Sequence, residues 1–370
     1  MVALRCKEVP LLMFVEIINK TFDWLIVFFL VSLFLWFGVT QPVFSFFNSS
    51  SVPEIDQGKL KDHVDALSKT YAPRTPEFEG IRPAAHYIYR QLTEAGRLIG
   101  KKPRYQAFGT MAGSFSNIIF KLGPATAETV VIGAHYDTRN AFPGADNNAS
   151  GVSVLIELAK ALSIIEKDLP IRVELVAYAL SEGSVLGTSD MGSFKHAEML
   201  KKKNRAVKLM ISVDSVGFFS NKSNSQEYPF SFMKLVYPTT GNFINISSHF
   251  QDFLELRAVK KSFKKVSSLD VRSINAPENF PNIANSDQIS YWAHGFPAVM
   301  ITDTWSYRNK NYNTENDTAD KLNYAGMAMV VQGLYQTIVD FKKGEKDKGQ
   351  TGAVEYEIQT INPKIITPKI

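Results

Sequence analysis

Val- and Ile-rich runs too short to be helices alternate along this chain with longer segments of helical periodicity. The short runs fall at residues 117–122, 130–134, 173–177, 209–213 and 298–302, and the helical patterns at 60–71, 84–95, 150–164, 242–256 and 324–341. Near-continuous apolar strands separated by helices require a sheet covered on both faces, which makes the expected fold α/β with a central, mostly parallel mixed sheet. No internal repeat is visible. The content of 45% hydrophobic and 21% charged residues suits one large core. The single cysteine, Cys6, rules out an intramolecular disulfide and a thiolate metal cluster.

Residues 24–47 carry no charge. At about 1.5 Å per helical residue such a run spans a hydrocarbon core of about 30 Å. Arg5, Lys7 and Lys20 precede it, which puts the N-terminus in the cytoplasm and the remainder on the other side. The expected organisation is a cytoplasmic tail at 1–23, a single transmembrane anchor at 24–47, a linker at 48–58, a folded domain at 59–342 and a polar, proline-punctuated tail at 343–370. A cleaved signal peptide is the competing reading of the apolar run. The net charge of +5 is scattered over lysine runs that read as solvated helix faces, with no interleaved aromatics, so nucleic acid is not an expected partner.

Ligands of open α/β sheets gather at the carboxyl ends of the strands. After the run at 130–134 comes His135-Tyr136-Asp137, and then GADNNASG with Asp146 before a helix. Ser181-Glu182 follows the run at 173–177, and Asp214 follows the run at 209–213. Imidazole and carboxylates are what zinc accepts where thiolate is absent. Asp137, two residues from His135, is placed to orient its ring. Singly, each residue has an ordinary explanation as a helix cap, a loop carboxylate or a core histidine; together they would converge on one sheet edge.

GAHYDT, PGADNNASGVSVLIELAK, AYALSEGSVLGTSDMGSFKHA, ISVDSVG and the stretch SDQISYW to KLNY, in this order, resemble the secreted zinc aminopeptidases of metallopeptidase family twenty-eight, which also contains glutaminyl cyclases and glutamate carboxypeptidases. The resemblance runs from about residue 60 to about residue 341. It implies a zinc-exopeptidase fold, a peptide substrate and two zinc ions. It matches Asp146 to a bridging ligand, His135 and Asp214 to the first zinc, Glu182 to the second, and Tyr312 to an oxyanion-steadying tyrosine.

Two positions depart from the family pattern. The first of two consecutive glutamates, the general base, falls on Ser181, whose hydroxyl is no base near neutral pH; positioned proton transfer is worth about 10²–10⁴ in rate. The last metal-binding histidine falls on Asn313, a weak neutral ligand. No histidine lies beyond His294 to replace it. One zinc site on His135, Asp146 and Asp214 is expected, with the second weakened. Two readings follow: a membrane-anchored zinc aminopeptidase of reduced competence, or a pseudopeptidase kept as a binding module.

Overall fold

The computed structural model describes residues 11–43, 52–78, 80–125, 128–266 and 268–341. The start of the expected cytoplasmic tail, residues 44–51 and the C-terminal tail from 342 lie outside the described residues.

Eight strands form one mixed sheet: β1 (Arg104–Thr110), β2 (Gly113–Leu122), β3 (Glu128–His135), β4 (Arg172–Tyr178), β5 (Ala206–Val213), β6 (Phe243–Ser248), β7 (Asp270–Asn275) and β8 (Ala298–Thr302), in the order β1-β2-β4-β3-β5-β8-β6-β7. The four central strands, β4, β3, β5 and β8, run parallel, β1 and β2 extend one side as an antiparallel hairpin, and β6 pairs antiparallel to β8. The helices are α1 (Leu11–Thr40), α2 (Gln57–Asp65), α3 (Ile81–Ala95), α4 (Gly151–Ile164), α5 (Gly192–Lys202), α6 (Phe253–Val266), α7 (Gln288–Trp292) and α8 (Tyr324–Asp340). Successive residues of one strand feed opposite cores, as the two-residue side-chain period requires. Ile132, Leu175 and Ile211 pack with α4 and α8 on one face, while Val131, Val176 and Met210 pack with α5 and α7 on the other. This is the expected α/β architecture, with helices on both faces.

One expectation is corrected. Residues 242–256 do not form one helix. Phe243, Ile244 and Ile246 are buried in β6, and the helix starts only at Phe253. All six residues of β6 are buried, Asn245, Ser247 and Ser248 among them, so its sequence carries no apolar/polar strand alternation, which is why it read as helical. The N-terminal helix, described from Leu11, stops at Thr40, inside the uncharged run at 24–47. Pro42 accounts for the stop: it has no N–H to donate and excludes the helical conformation at Gln41, which takes φ 44°. The apolar part of α1 spans Ile18–Thr40 and is exposed as far as Phe37.

The end of α1 is built into the domain. The Thr40 carbonyl accepts Lys260 Nζ at 2.7 Å and Ser273 Oγ at 2.6 Å, the Pro42 carbonyl accepts Arg257 Nη1 at 3.0 Å, and the Val43 carbonyl accepts Lys264 Nζ at 3.2 Å. The last carbonyls of a helix have no partner within it, and here α6 and β7 supply them.

Candidate active site

Because β4, β3 and β5 are parallel neighbours, their carboxyl ends bring His135, Ser181-Glu182 and Asp214 to one edge. All three contribute to a cavity of about 310 Å³ that is also lined by Arg139, Tyr312 and Asn313.

His135 is buried. Its Nδ1 faces the Asp137 side, 3.2 Å from the carbonyl and 3.4 Å from Oδ1, and its Nε2 lies 3.8 Å from Asp214 Oδ1. Burial opposes charge on this ring, but the two carboxylates outweigh it and hold its pKa well above the ordinary value. Asp137 Oδ2 accepts the backbone N–H groups of Ser181 at 2.9 Å and Glu182 at 3.0 Å, so it ties the ends of β3 and β4 together. Asp214 Oδ1 accepts Ser215 Oγ and Trp305 Nε1, each at 3.1 Å.

Asp146 does not join this group. Its Oδ1 accepts Gly217 N–H at 3.0 Å and its Oδ2 accepts Asn309 Nδ2 at 2.7 Å, beside Asp303 and outside the residues that line the cavity. Complete burial, with the Asp303 carboxyl next to it, raises its pKa well above the usual carboxylate range. The residue that reaches across the site is its neighbour Asn147. Asn147 Nδ2 donates to Glu182 Oε1 at 2.6 Å and to Asn313 Oδ1 at 2.8 Å, filling the space between them.

The loop that sets this register is held from below. Asp317 accepts the N–H groups of Asp146 at 2.8 Å and Asn147 at 3.1 Å. The fully buried Arg74 guanidinium donates to the carbonyls of Leu67, Tyr136, Pro143 and Gly144. Gly144 sits at φ 60°, where a Cβ would lie 2.3 Å from the Asn147 carbonyl oxygen. Asn148 closes the loop onto β5, donating to the Val213 carbonyl and accepting from Gly151 and Ser215 N–H.

Ser181 Oγ donates to Asp287 Oδ1 at 2.6 Å, so the hydroxyl at the expected base position is directed onto a buried carboxylate. Burial raises Asp287 to about 6 and Glu182 to about 7. Burial also drives the Tyr312 hydroxyl well above its usual pKa, with Glu182 and Asp214 adding to the shift.

These residues do not fit a pair of zinc ions. A dinuclear centre needs an anionic bridge between the two ions, and the side chain in that place is a neutral carboxamide whose N–H groups already point at both flanking oxygens. Among the described residues no group of three or more His, Cys, Asp or Glu side chains could hold one metal ion. His135 Nε2 and Asp214 Oδ1 lie 3.8 Å apart, while Asp146 is committed elsewhere.

Asn147, Asp287, Arg74 and Asp317 were not singled out from the sequence. Asn147 sits in the same GADNNASG motif, where composition alone cannot tell which polar residue turns inward. Asp287 belongs to the SDQISYW stretch quoted above and carried no signal of its own.

Residues 117–338 match the model of Peptidase family M28. Uncharacterized protein YfbL of Escherichia coli K12 is 37% identical over 294 residues, covering 77% of this chain and 88% of that protein. A probable leucine aminopeptidase of Arthroderma otae is 30% identical over 234 residues, covering 59% of this chain and 55% of that protein. Among solved structures, LapB from Legionella pneumophila superposes with a TM-score of 0.61 at 21% identity, covering 79% of this chain and 78% of that one. A Zn-dependent exopeptidase from Parabacteroides distasonis does so with a TM-score of 0.57 at 16% identity, covering 78% of this chain and all of that one.

Proposed function

Starting from the chain's membership of peptidase family M28, we propose that it is a membrane-anchored, extracytoplasmic member that binds peptide N-termini in the family cleft without two-metal hydrolysis. One observation carries this reading: Asn147 bonds to both Glu182 and Asn313 where a bridging carboxylate would be required. Glu182 and Asp214 line the cavity as acceptors for a terminal ammonium, and Arg139 stands exposed at its rim for a carboxylate or carbonyl. The uncleaved anchor is supported by the end of α1: cleavage after Thr40 would strip buried Lys260 of the Thr40 carbonyl and leave a buried polar group short of a partner.

Metal analysis of the full-length protein, with turnover of leucine anilide, tests the reading. Less than one tightly held zinc per chain and no turnover are expected. Unmodified peptides should bind at least about tenfold more tightly than N-acetylated ones, the effect of removing one charged partner. Two zinc ions per chain with rates of about 1–10³ per second would overturn it. A second reading, slow hydrolysis at a single metal with Glu182 as base, is favoured by the elevated Glu182 carboxyl, at about 7, near the optimum for a base at neutral pH. One zinc per chain with slow turnover abolished by Glu182→Gln would establish it instead.

A further inference from the structure

Where α1 leaves the proposed bilayer, the domain exposes large apolar side chains on both sides of the exit. The turn after residue 230 presents Phe232, 64% exposed, Leu235, 88% exposed, and Val236. Val236 shares a cavity of about 260 Å³ with Trp36, Thr40 and Pro42, so this turn lies against the last turn of α1. On the other side the start of α6 exposes Phe253 and Leu254. One turn further along α6, Arg257 lies 5.3 Å from the ring centroid of Phe37 of α1 and donates to the Pro42 carbonyl.

We infer that the domain does not hang from a tether but docks on the lipid surface around α1, with these two apolar elements entering the headgroup region. Three observations point to lipid as the occupant. The patch is continuous with the apolar helix Ile18–Thr40, which the rest of the molecule leaves exposed as far as Phe37. The junction is rigid, because four side chains of α6 and β7 bond to the carbonyls of Thr40, Pro42 and Val43, so the domain cannot swing away from the exit point. Exposed Lys234, beside Leu235, and Lys261, one turn beyond Arg257, add cations suited to lipid phosphates. Aromatic and leucine side chains with basic neighbours form the composition of an interfacial surface, whose apolar face enters about 5–10 Å.

This inference rests on α1 being an uncleaved membrane anchor, and the test separates the two. The full-length chain carrying Cys6→Ser is given single cysteines, Leu235→Cys, Leu254→Cys, Phe29→Cys or Met111→Cys, each labelled with an environment-sensitive fluorophore. The variants are reconstituted into vesicles of phosphatidylethanolamine and phosphatidylglycerol with nitroxide on the upper acyl chain. Position 29 reports the anchor, and position 111, on the exposed β1–β2 turn, serves as the solvent control. Docking predicts blue-shifted emission and several-fold stronger quenching at positions 235 and 254 than at 111. Quenching at 29 with water-like emission at both 235 and 254 would overturn the docking and leave the anchor standing. Water-like emission at 29 would overturn the anchor itself. A blue shift at 235 that follows the protein-to-lipid ratio and ignores the nitroxide would mean a second copy covers the patch, and would also overturn lipid docking.

Discussion

Asn147 decides what Glu182 can do. With an amide donor on its Oε1, Glu182 is held in place, while burial raises its carboxyl to about 7. A group whose folded pKa exceeds its unfolded value of about 4.3 binds more protons in the folded state, so its stabilising contribution is lost as pH rises from about 4.3 through about 7. Asp303 and Asp317, at about 7, and Asp287, at about 6, act with the same sign. Glu182→Gln should therefore flatten, without abolishing, the fall in stability across that interval in urea titrations at stepped pH. Asn147→Asp replaces the donor with a like charge. The melting temperature of this variant should fall more steeply toward alkaline pH, and zinc in excess should restore it, since a ligand bound only by the folded state stabilises in proportion to its concentration over Kd. Insensitivity of that variant to zinc would show that Asn147 does not mark the metal bridge. The same geometry revises what is needed to recover hydrolysis. Ser181→Glu with Asn313→His supplies a base and an imidazole but still no anionic bridge. Aminopeptidase turnover should appear only when Asn147→Asp is added, because residues acting as one catalytic unit are strongly non-additive.

Between elements, the joint at the end of α1 carries its own pH signature. Burial lowers the pKa of Lys260 to about 7, against an unfolded value of about 10.4. From about pH 7 to about pH 10.4 the unfolded chain holds a proton that the folded one lacks, so stability at this joint rises with pH over that window. Lys260→Met should remove the rise and loosen residues 40–43, which amide hydrogen exchange across the joint would detect. A joint of this kind is illegible in sequence, since it pairs residue 40 with residue 260. What was legible has a common physical basis. The runs at 130–134, 173–177, 209–213 and 298–302 are buried on both faces and flanked by turn residues, and each is a strand. The helix at 150–164 was equally clear, because an apolar stripe fits only one period. The edge strand β1 alternates between exposed and half-buried residues and gave no such signal. In the site, the ends of β3, β4 and β5 bring His135, Glu182 and Asp214 to one edge of the sheet. The choice between Asp146 and Asn147 depends on how Asp317 and Arg74 hold a kinked loop from distant parts of the chain, and no local pattern encodes that.

For the molecule as a whole, the anchor, the joint and the cleft make one prediction about sidedness. The apolar part of α1, Ile18–Thr40, extends roughly 34 Å at 1.5 Å per residue, enough to cross a bilayer with little tilt. Arg5 and Lys7 precede it and Lys20 lies in its first turn, and basic residues near a span are retained on the cytoplasmic side. The predicted exit on the far side is at Thr40, whose carbonyl accepts from Lys260 and Ser273 of the domain. Protease added outside intact cells, or to spheroplasts where an outer membrane intervenes, should digest the domain while an N-terminal tag stays protected. Because the joint is rigid and the flanking patch is proposed to lie on lipid, the first cuts should fall at elements remote from the exit. The exposed turn at Met111, between β1 and β2, is one such site, and the residue 230–236 turn should be cut late. Rapid cutting at both turns with the tag protected would indicate a free tether. Cutting of the tag with protection of the domain would reverse the topology and place the cleft in the cytoplasm, where the pool of peptide N-termini available to it is a different one.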